Sequence, residues 1–155
     1  MRVHIGGDHA AYDLHRALVA HLTEAGHEVT DHGPHVLDPE DDYPVAVLHT
    51  ALAVAADPAS IGVVLGGSGN GEQIAANKVQ GIRAALATTI ELAQLARLHN
   101  NAQIVSIGGR FTAIEEAKAI VDIFLATPFS GAERHTRRLG MVSRYETDGI
   151  LPPPH

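Results

Sequence analysis

The chain has 155 residues, enough for one domain with its own core, and its 45% hydrophobic and 19% charged content is that of a folded globular protein. A formal net charge of −7 argues against a general nucleic-acid surface, which needs a basic face. The lack of cysteine excludes disulfides, thiolate chemistry and cysteine-ligated zinc, and no apolar run reaches the roughly 20 residues of a membrane helix.

At the N-terminus one basic residue, Arg2, is followed by no apolar leader, so a cytoplasmic location is expected. Val3–Gly6 reads as a strand. Ala10–Ala25 reads as a helix, with Leu14, Leu18 and Leu22 on one face and Gly26 as its stop. Glu28–Asp31 is a weaker strand, closed by His32-Gly33-Pro34. Asp38, Asp41 and Asp42 read as a solvated acidic loop before Pro44, which opens a helix over Val45–Ala55. The continuous apolar run Ile61–Leu65 has the pattern of a strand buried on both faces. A glycine-rich turn, a helix over Glu72–Lys78, a strand over Arg83–Ala87 and a helix over Ile90–Leu98 follow. Ile104–Ile107 is the fifth strand, closed by Gly108-Gly109-Arg110. Helices are expected over Ala113–Leu125 and, after Pro128, over Glu133–Tyr145. Leu151–His155, with three prolines, reads as a frayed tail, leaving residues 1–150 as a single domain.

Five rounds of strand–helix alternation predict an α/β fold with a parallel sheet covered on both faces. In such sheets ligands bind beyond the carboxyl ends of the strands. Those ends carry Gly7-Asp8-His9, Gly66–Gly71, Thr88-Thr89 and Gly108-Gly109-Arg110, the most polar and glycine-rich segments of the chain. The last helix has no strand after it, and a partner subunit is a natural surface for it to pack on.

The segment Gly66-Gly67-Ser68-Gly69-Asn70-Gly71-Glu72-Gln73 lets backbone amides approach an anion closely. It is not a Walker A loop, because Glu72 stands where the lysine is required. Nor is it a dinucleotide fingerprint: Gly69-x-Gly71 leads to Ile74, and it follows the third strand rather than the first. A carboxylate at a helix start is held ionised by the helix dipole, so Glu72 reads as a base near neutral pH, with amides and the Ser68 hydroxyl as oxyanion donors. That pairing suits proton abstraction alpha to a carbonyl. The plainer reading of Glu72, a first-turn acidic residue, stays open here.

Eleven histidines invite a metal hypothesis, but no His-x-x-x-His pair exists, and His9, His15, His21 and His27 recur every six residues, which scatters them around a helix. Most are read as exposed polar residues, and no metal or other cofactor is expected. His9, His99 and His135 stand out by position: after Asp8 at a strand end, before Asn100-Asn101 at a helix end, and among arginines. Arg134 and Arg138, at i and i+4, can aim two guanidinium forks at one phosphate, whereas Arg137 lies on another side.

The ordered segments Gly6-Gly7-Asp8-His9-Ala10, Gly66–Lys78, His99-Asn100-Asn101-Ala102, Gly108-Gly109-Arg110 and Arg134-His135 with Arg138 resemble ribose-5-phosphate isomerase type B, in particular its actinobacterial branch, over nearly the whole chain. The resemblance implies a three-layer α/β/α Rossmann-like sandwich with a five-stranded parallel sheet. It implies a homodimer, open to pairing into a dimer of dimers, whose active sites are shared between subunits and whose C-terminal helix packs on the partner. It also implies cofactor-free interconversion of ribose 5-phosphate and ribulose 5-phosphate through a cis-enediolate. Glu72 would be the base, His99 would assist ring opening, and Asp8 and His9 would contact the sugar. Gly67, Ser68, Gly69, Asn70, Gly71 and Asn100 would hold the enediolate and nearby hydroxyls, and Arg110, Arg134 and Arg138 the phosphate. Much of the wider family has a cysteine base at the end of the third strand; this chain has Gly66 there. A six-carbon sugar phosphate (galactose 6-phosphate or allose 6-phosphate) and a non-catalytic phosphosugar-binding role remain alternative readings of the same residues.

Overall fold

Valine, isoleucine and leucine fill the strands that the computed structural model, which describes residues 1–154, assembles into one sheet. The strands are β1 (Arg2–Gly7), β2 (Glu28–Asp31), β3 (Ile61–Gly66), β4 (Ala84–Leu86) and β5 (Ile104–Gly108). All pair in parallel, in the order β2-β1-β3-β5-β4. The central strands β3 and β5 are buried at every position, the behaviour expected of parallel strands with helices on both faces.

The helices are α1 (Tyr12–Glu24), α2 (Tyr43–Ala56), α3 (Asn70–Ala76), α4 (Ile90–Asn100), α5 (Ile114–Ala126) and α6 (Glu133–Asp148). Leu14, Leu18 and Leu22 of α1, Ala93 and Ala96 of α4, and Ile120, Val121 and Phe124 of α5 cover one face, against Val3, Ile5, Val63, Leu65, Val105 and Ile107. Val47, Ala51 and Val54 of α2 and Ala76 of α3 cover the other, against Val64, Ala84 and Ile104. The expected three-layer α/β/α sandwich is thus present. The exception is α6: His135 is its one buried residue, and Met141, Val142 and Tyr145 stand 41%, 59% and 53% exposed.

Several boundaries differ from the sequence reading for local reasons. The helix expected from Ala10 starts at Tyr12, because a 3-10 turn over His9–Ala11 comes first, capped by Asp8 Oδ1 accepting from Ala10 N at 3.0 Å. The helix expected over Glu72–Lys78 is shifted toward Asn70–Ala76. Gly69, at φ 81°, turns the chain straight into it. Asn77 ends it, its Nδ2 donating to Ala84 O at 2.9 Å and its Oδ1 accepting from Ala84 N at 2.8 Å. The last helix runs three residues past Tyr145, to a left-handed Gly149. Residues 151–154 have no regular secondary structure, and His155, the last residue of the expected tail, lies outside the described residues.

The reading of most histidines as exposed is corrected: among the described residues only His35 and His49 are exposed, and His15 and His135 are buried. His15 is the extreme case. It is fully buried, with Nε2 2.8 Å from Asp31 Oδ1, and burial lowers its pKa below the ordinary range. Strand β2 therefore carries an acidic partner for α1, which a six-residue spacing does not reveal.

The strand order reverses between β1 and β3, so the chain leaves the sheet in opposite directions on either side of one crevice, where ligand sites of open α/β sheets form. The Asn77–Ala84 pair fixes α3 at that crevice by bonding it to β4. Asn77→Ala leaves the Ala84 amide without its partner and is expected to lower the unfolding free energy by about 1–3 kcal/mol in urea denaturation; an unchanged midpoint would show that the pair contributes nothing.

Candidate active site

Beyond the carboxyl ends of β1 and β3, the chain turns twice into helix and leaves a cleft of about 540 Å³ between the turns. Asp8, His9, Gly67, Ser68, Gly71, Glu72 and Arg110 line it, together with Tyr43 and Phe111. The glycine loop is held by hydrogen bonds at successive positions. Gly109 N donates to Gly66 O at 2.8 Å, Arg110 N to Gly67 O at 3.1 Å, and the buried Ser106 Oγ to Gly69 O at 2.7 Å. Glycine is required where the loop meets its neighbours: a Cβ on Gly69 would lie 2.6 Å from Leu86 Cδ1, and one on Gly71 would lie 2.8 Å from the Tyr43 ring.

Glu72 is 4% exposed. Its carboxyl group lies against Gly66, so closely that a Cβ at position 66 would overlap the carboxylate carbon and oxygen. The side chain of Glu72 thus fills the space that a side chain at the end of β3 would occupy. Burial is the leading influence on its titration and pushes the carboxyl above the ordinary glutamate range; the Asp8 charge adds to this, and the N–H groups of Glu72 and Gly69 oppose it. The direction is opposite to the downward pull expected from the helix dipole. Helix α3 has only seven residues, and removal from water outweighs its amides. A carboxyl raised in this way is better matched to taking and returning a proton near neutral pH.

Around it, Asp8 is 8% exposed and is likewise pushed up, chiefly by burial. Ser68 Oγ accepts from Asn70 N at 3.3 Å, an arrangement that leaves its hydroxyl proton free to donate toward the cleft. The amide of Gly71, in the first turn of α3, has no intrahelical acceptor. The site therefore places a buried carboxyl beside the Gly71 N–H and the Ser68 hydroxyl, with the exposed Arg110 among the residues that line the cleft.

Asp41 and Tyr43 escaped the sequence reading. Asp41 is not a merely solvated loop residue: its Oδ1 accepts from His9 N at 3.0 Å and lies 2.6 Å from His9 Nδ1. The only signal was an acidic loop ahead of a helix, and nothing in it singles out one aspartate of three. Asp8, His9 and Asp41 bring one potential metal-ligating atom each within 4.8 Å of one another. The Asp41 oxygen is engaged by His9 and Asp8 Oδ1 by Ala10 N, which makes the trio a hydrogen-bonded set rather than a ligand set.

The remaining expected site residues lie elsewhere in the chain. His99 and Asn100 end α4, and β5 begins at Ile104, so they stand at the amino ends of the strands, opposite the Glu72 cleft. His99 stacks on His135 at 4.3 Å between ring centroids, and Arg134 Nε donates to His135 Nε2 at 3.2 Å. Burial first, then the charges of His99, Arg134 and Arg138, lower the His135 pKa. His99, Arg134 and Arg138 thus form a second cluster, one that a single chain does not bring to Glu72.

The sequence profile of the Ribose/Galactose Isomerase family matches residues 3–142. The chain is 53% identical over 153 residues to ribose-5-phosphate isomerase B of Mycolicibacterium paratuberculosis, covering 99% of this chain and 96% of that one. It is 52% identical to the protein of the same name from Mycobacterium tuberculosis, covering 99% and 94%. Among solved structures, ribose-5-phosphate isomerase B of Mycoplasma genitalium with bound ribulose-5-phosphate superposes with a TM-score of 0.91 at 36% identity, over 95% of this chain and 97% of that one.

The raised carboxyl pKa carries a stability consequence of fixed sign. A folded-state pKa above the unfolded value of about 4.3 favours folding only below that value, and the advantage is lost as pH rises through the folded pKa. Glu72→Gln removes the buried charge, so its melting temperature is expected to exceed the parent's at neutral pH, with the gap closing as pH falls to about 4. A variant less stable than the parent at neutral pH would contradict the burial argument.

Proposed function

The chain belongs to the ribose/galactose isomerase family, and from that membership we propose how its own residues interconvert ribose 5-phosphate and ribulose 5-phosphate. The substrate is a sugar phosphate and the enzyme an aldose–ketose isomerase. Once the furanose is open, Glu72 takes the proton from C2 of the aldose. The electron pair moves into a C1–C2 double bond, and the C1 carbonyl oxygen becomes the enediolate oxygen. The hydroxyl proton of O2 passes to O1, the same carboxyl returns its proton to C1, and the ketone forms at C2. Nothing is oxidised or reduced overall; one proton changes carbon.

The observation that carries this reading is the burial of the Glu72 carboxyl in the space beside Gly66. A cysteine base at the end of β3 would project into that same space. In this chain the base comes from a different position in the sequence, at the same place in the fold. The loop amides and Ser68 are suited to the enediolate charge, which exists only after proton transfer, and donors aimed there accelerate the step rather than merely tighten binding. Asp8 and His9 are suited to the sugar hydroxyls and Arg110 to the phosphate.

His99, Asn100, Arg134 and Arg138 enter through a second copy of the chain. Their distance from Glu72 within one subunit supports this, as does the exposed apolar edge of α6, Met141, Val142 and Tyr145, which has no cover of its own. In the dimer, His99 would protonate the ring oxygen and the two arginines would complete the phosphate clamp. A phosphorylated sugar does not cross a bilayer unaided, so its isomerase shares its compartment. None of the described helices is long and apolar enough to span a membrane, and the cytoplasm is the address we assign.

Glu72→Gln is expected to lower kcat by about 10²-fold or more with little change in KM. Gly66→Ala, a change of one methyl group that expels the carboxyl, is expected to cost nearly as much; a fully active Gly66→Ala enzyme would remove Glu72 from the mechanism. Shared sites have their own test. Glu72→Gln and His99→Asn chains, each inactive alone, are unfolded together and refolded in equal amounts. About a quarter of parental activity is expected, because half of the dimers then hold one intact site of two. No recovery would mean that each site is built from one chain.

A further inference from the structure

One side chain of the loop between β2 and α2, that of Asp41, reaches a residue that lines the cleft, His9. Asp38 builds the turn that presents it: its Oδ1 accepts from Glu40 N at 3.0 Å and its carbonyl from Asp41 N at 3.2 Å. Asp41 Oδ1 then binds His9 twice, at the backbone N–H (3.0 Å) and at Nδ1 (2.6 Å). An ionised carboxylate can only accept, so Nδ1 carries a proton and Nε2 remains the free ring nitrogen of a residue that lines the Glu72 cleft.

We propose that Asp41 is a positioning residue, which clamps the His9 imidazole so that Nε2–H is presented to an oxygen of the sugar phosphate, beside Arg110. The inference rests on the isomerase reading above and adds to it a residue outside the glycine loop and the arginines. It assigns the acidic loop a task that its composition does not suggest.

The charged groups facing His9 are Asp41, Asp8 and Arg110. The hydrogen bond to Asp41 is the largest influence and raises the His9 pKa; the Asp8 and Asp41 charges act in the same direction, while desolvation and Arg110 oppose them. His9 therefore stays a cationic donor to higher pH than an isolated histidine. Removing the Asp41 charge lowers the His9 pKa, so the donor is lost first at the alkaline end, where the parent still keeps it.

The test measures kcat/KM for ribose 5-phosphate in the parent, Asp41→Asn and Asp41→Ala enzymes from about pH 5.5 to about pH 9. Asparagine keeps an acceptor oxygen for both His9 N–H groups and lacks only the charge. Asp41→Asn is expected within about threefold of the parent at the acid end and about tenfold or more below it at the alkaline end. Asp41→Ala, which also loses the orientation, is expected to fall at both ends and further at the alkaline one. Profiles parallel to the parent's, whether unchanged or uniformly lowered, would overturn the inference, since mere loop support moves activity without moving its pH dependence. A parent enzyme that does not isomerise ribose 5-phosphate would instead overturn the isomerase reading, and the inference with it.

Discussion

The site depends on a substitution of space rather than of sequence: the Glu72 carboxyl occupies the volume that the missing side chain of Gly66 leaves at the end of β3. Everything around it follows from keeping that carboxyl buried. The glycine loop must lie flat against β5, which requires Gly69 in a left-handed conformation and Gly108 without a Cβ, since one there would lie 2.6 Å from Ser68 O. Helix α3 must start at Asn70, two residues earlier than its apolar pattern suggests, so that Glu72 falls in the first turn and folds back over the strand. The cost is a carboxyl removed from water; on the proposed mechanism the return is a base whose proton affinity suits moving a proton from carbon to carbon.

The sheet separates the two clusters that the proposed mechanism draws on. Helices that return antiparallel to the strands end at the strands' amino edges, and α4 delivers His99 and Asn100 there. Strand ends deliver Asp8, Glu72 and Arg110 to the other edge. On the function we propose, a site that uses both sets would be built by juxtaposing two copies, and α6, almost wholly exposed in one chain, is the element free to make that contact. If the site is shared as proposed, activity is tied to assembly, and a folded monomer would hold the proposed base without its ring-opening acid.

Much of this was legible in the sequence. The five strands and six helices follow from the alternation of apolar runs with amphipathic stretches, and the glycine run after the third strand points to the cleft. Glu72 was singled out by standing where a nucleotide loop needs lysine. What the sequence did not carry was burial. The sign of the Glu72 titration depends on solvent exclusion by Gly66 and its neighbours, which spacing does not record. Likewise His15 is buried because β2 happens to supply Asp31, and Asp41 reaches His9 because Asp38 closes a turn. The His15–Asp31 and His9–Asp41 contacts join separate segments of the chain, and periodicity describes only single segments.

The most direct test of the central claim is to titrate the Glu72 carboxyl itself, by carbon-13 NMR of site-labelled enzyme or by difference infrared spectroscopy against Glu72→Gln, and to set the result beside the acid limb of kcat/KM. Burial against Gly66 requires a midpoint above the ordinary glutamate range that coincides with the acid limb. A Glu72 that titrates at an ordinary value, or an acid limb that persists unchanged when Glu72 is replaced, would contradict it.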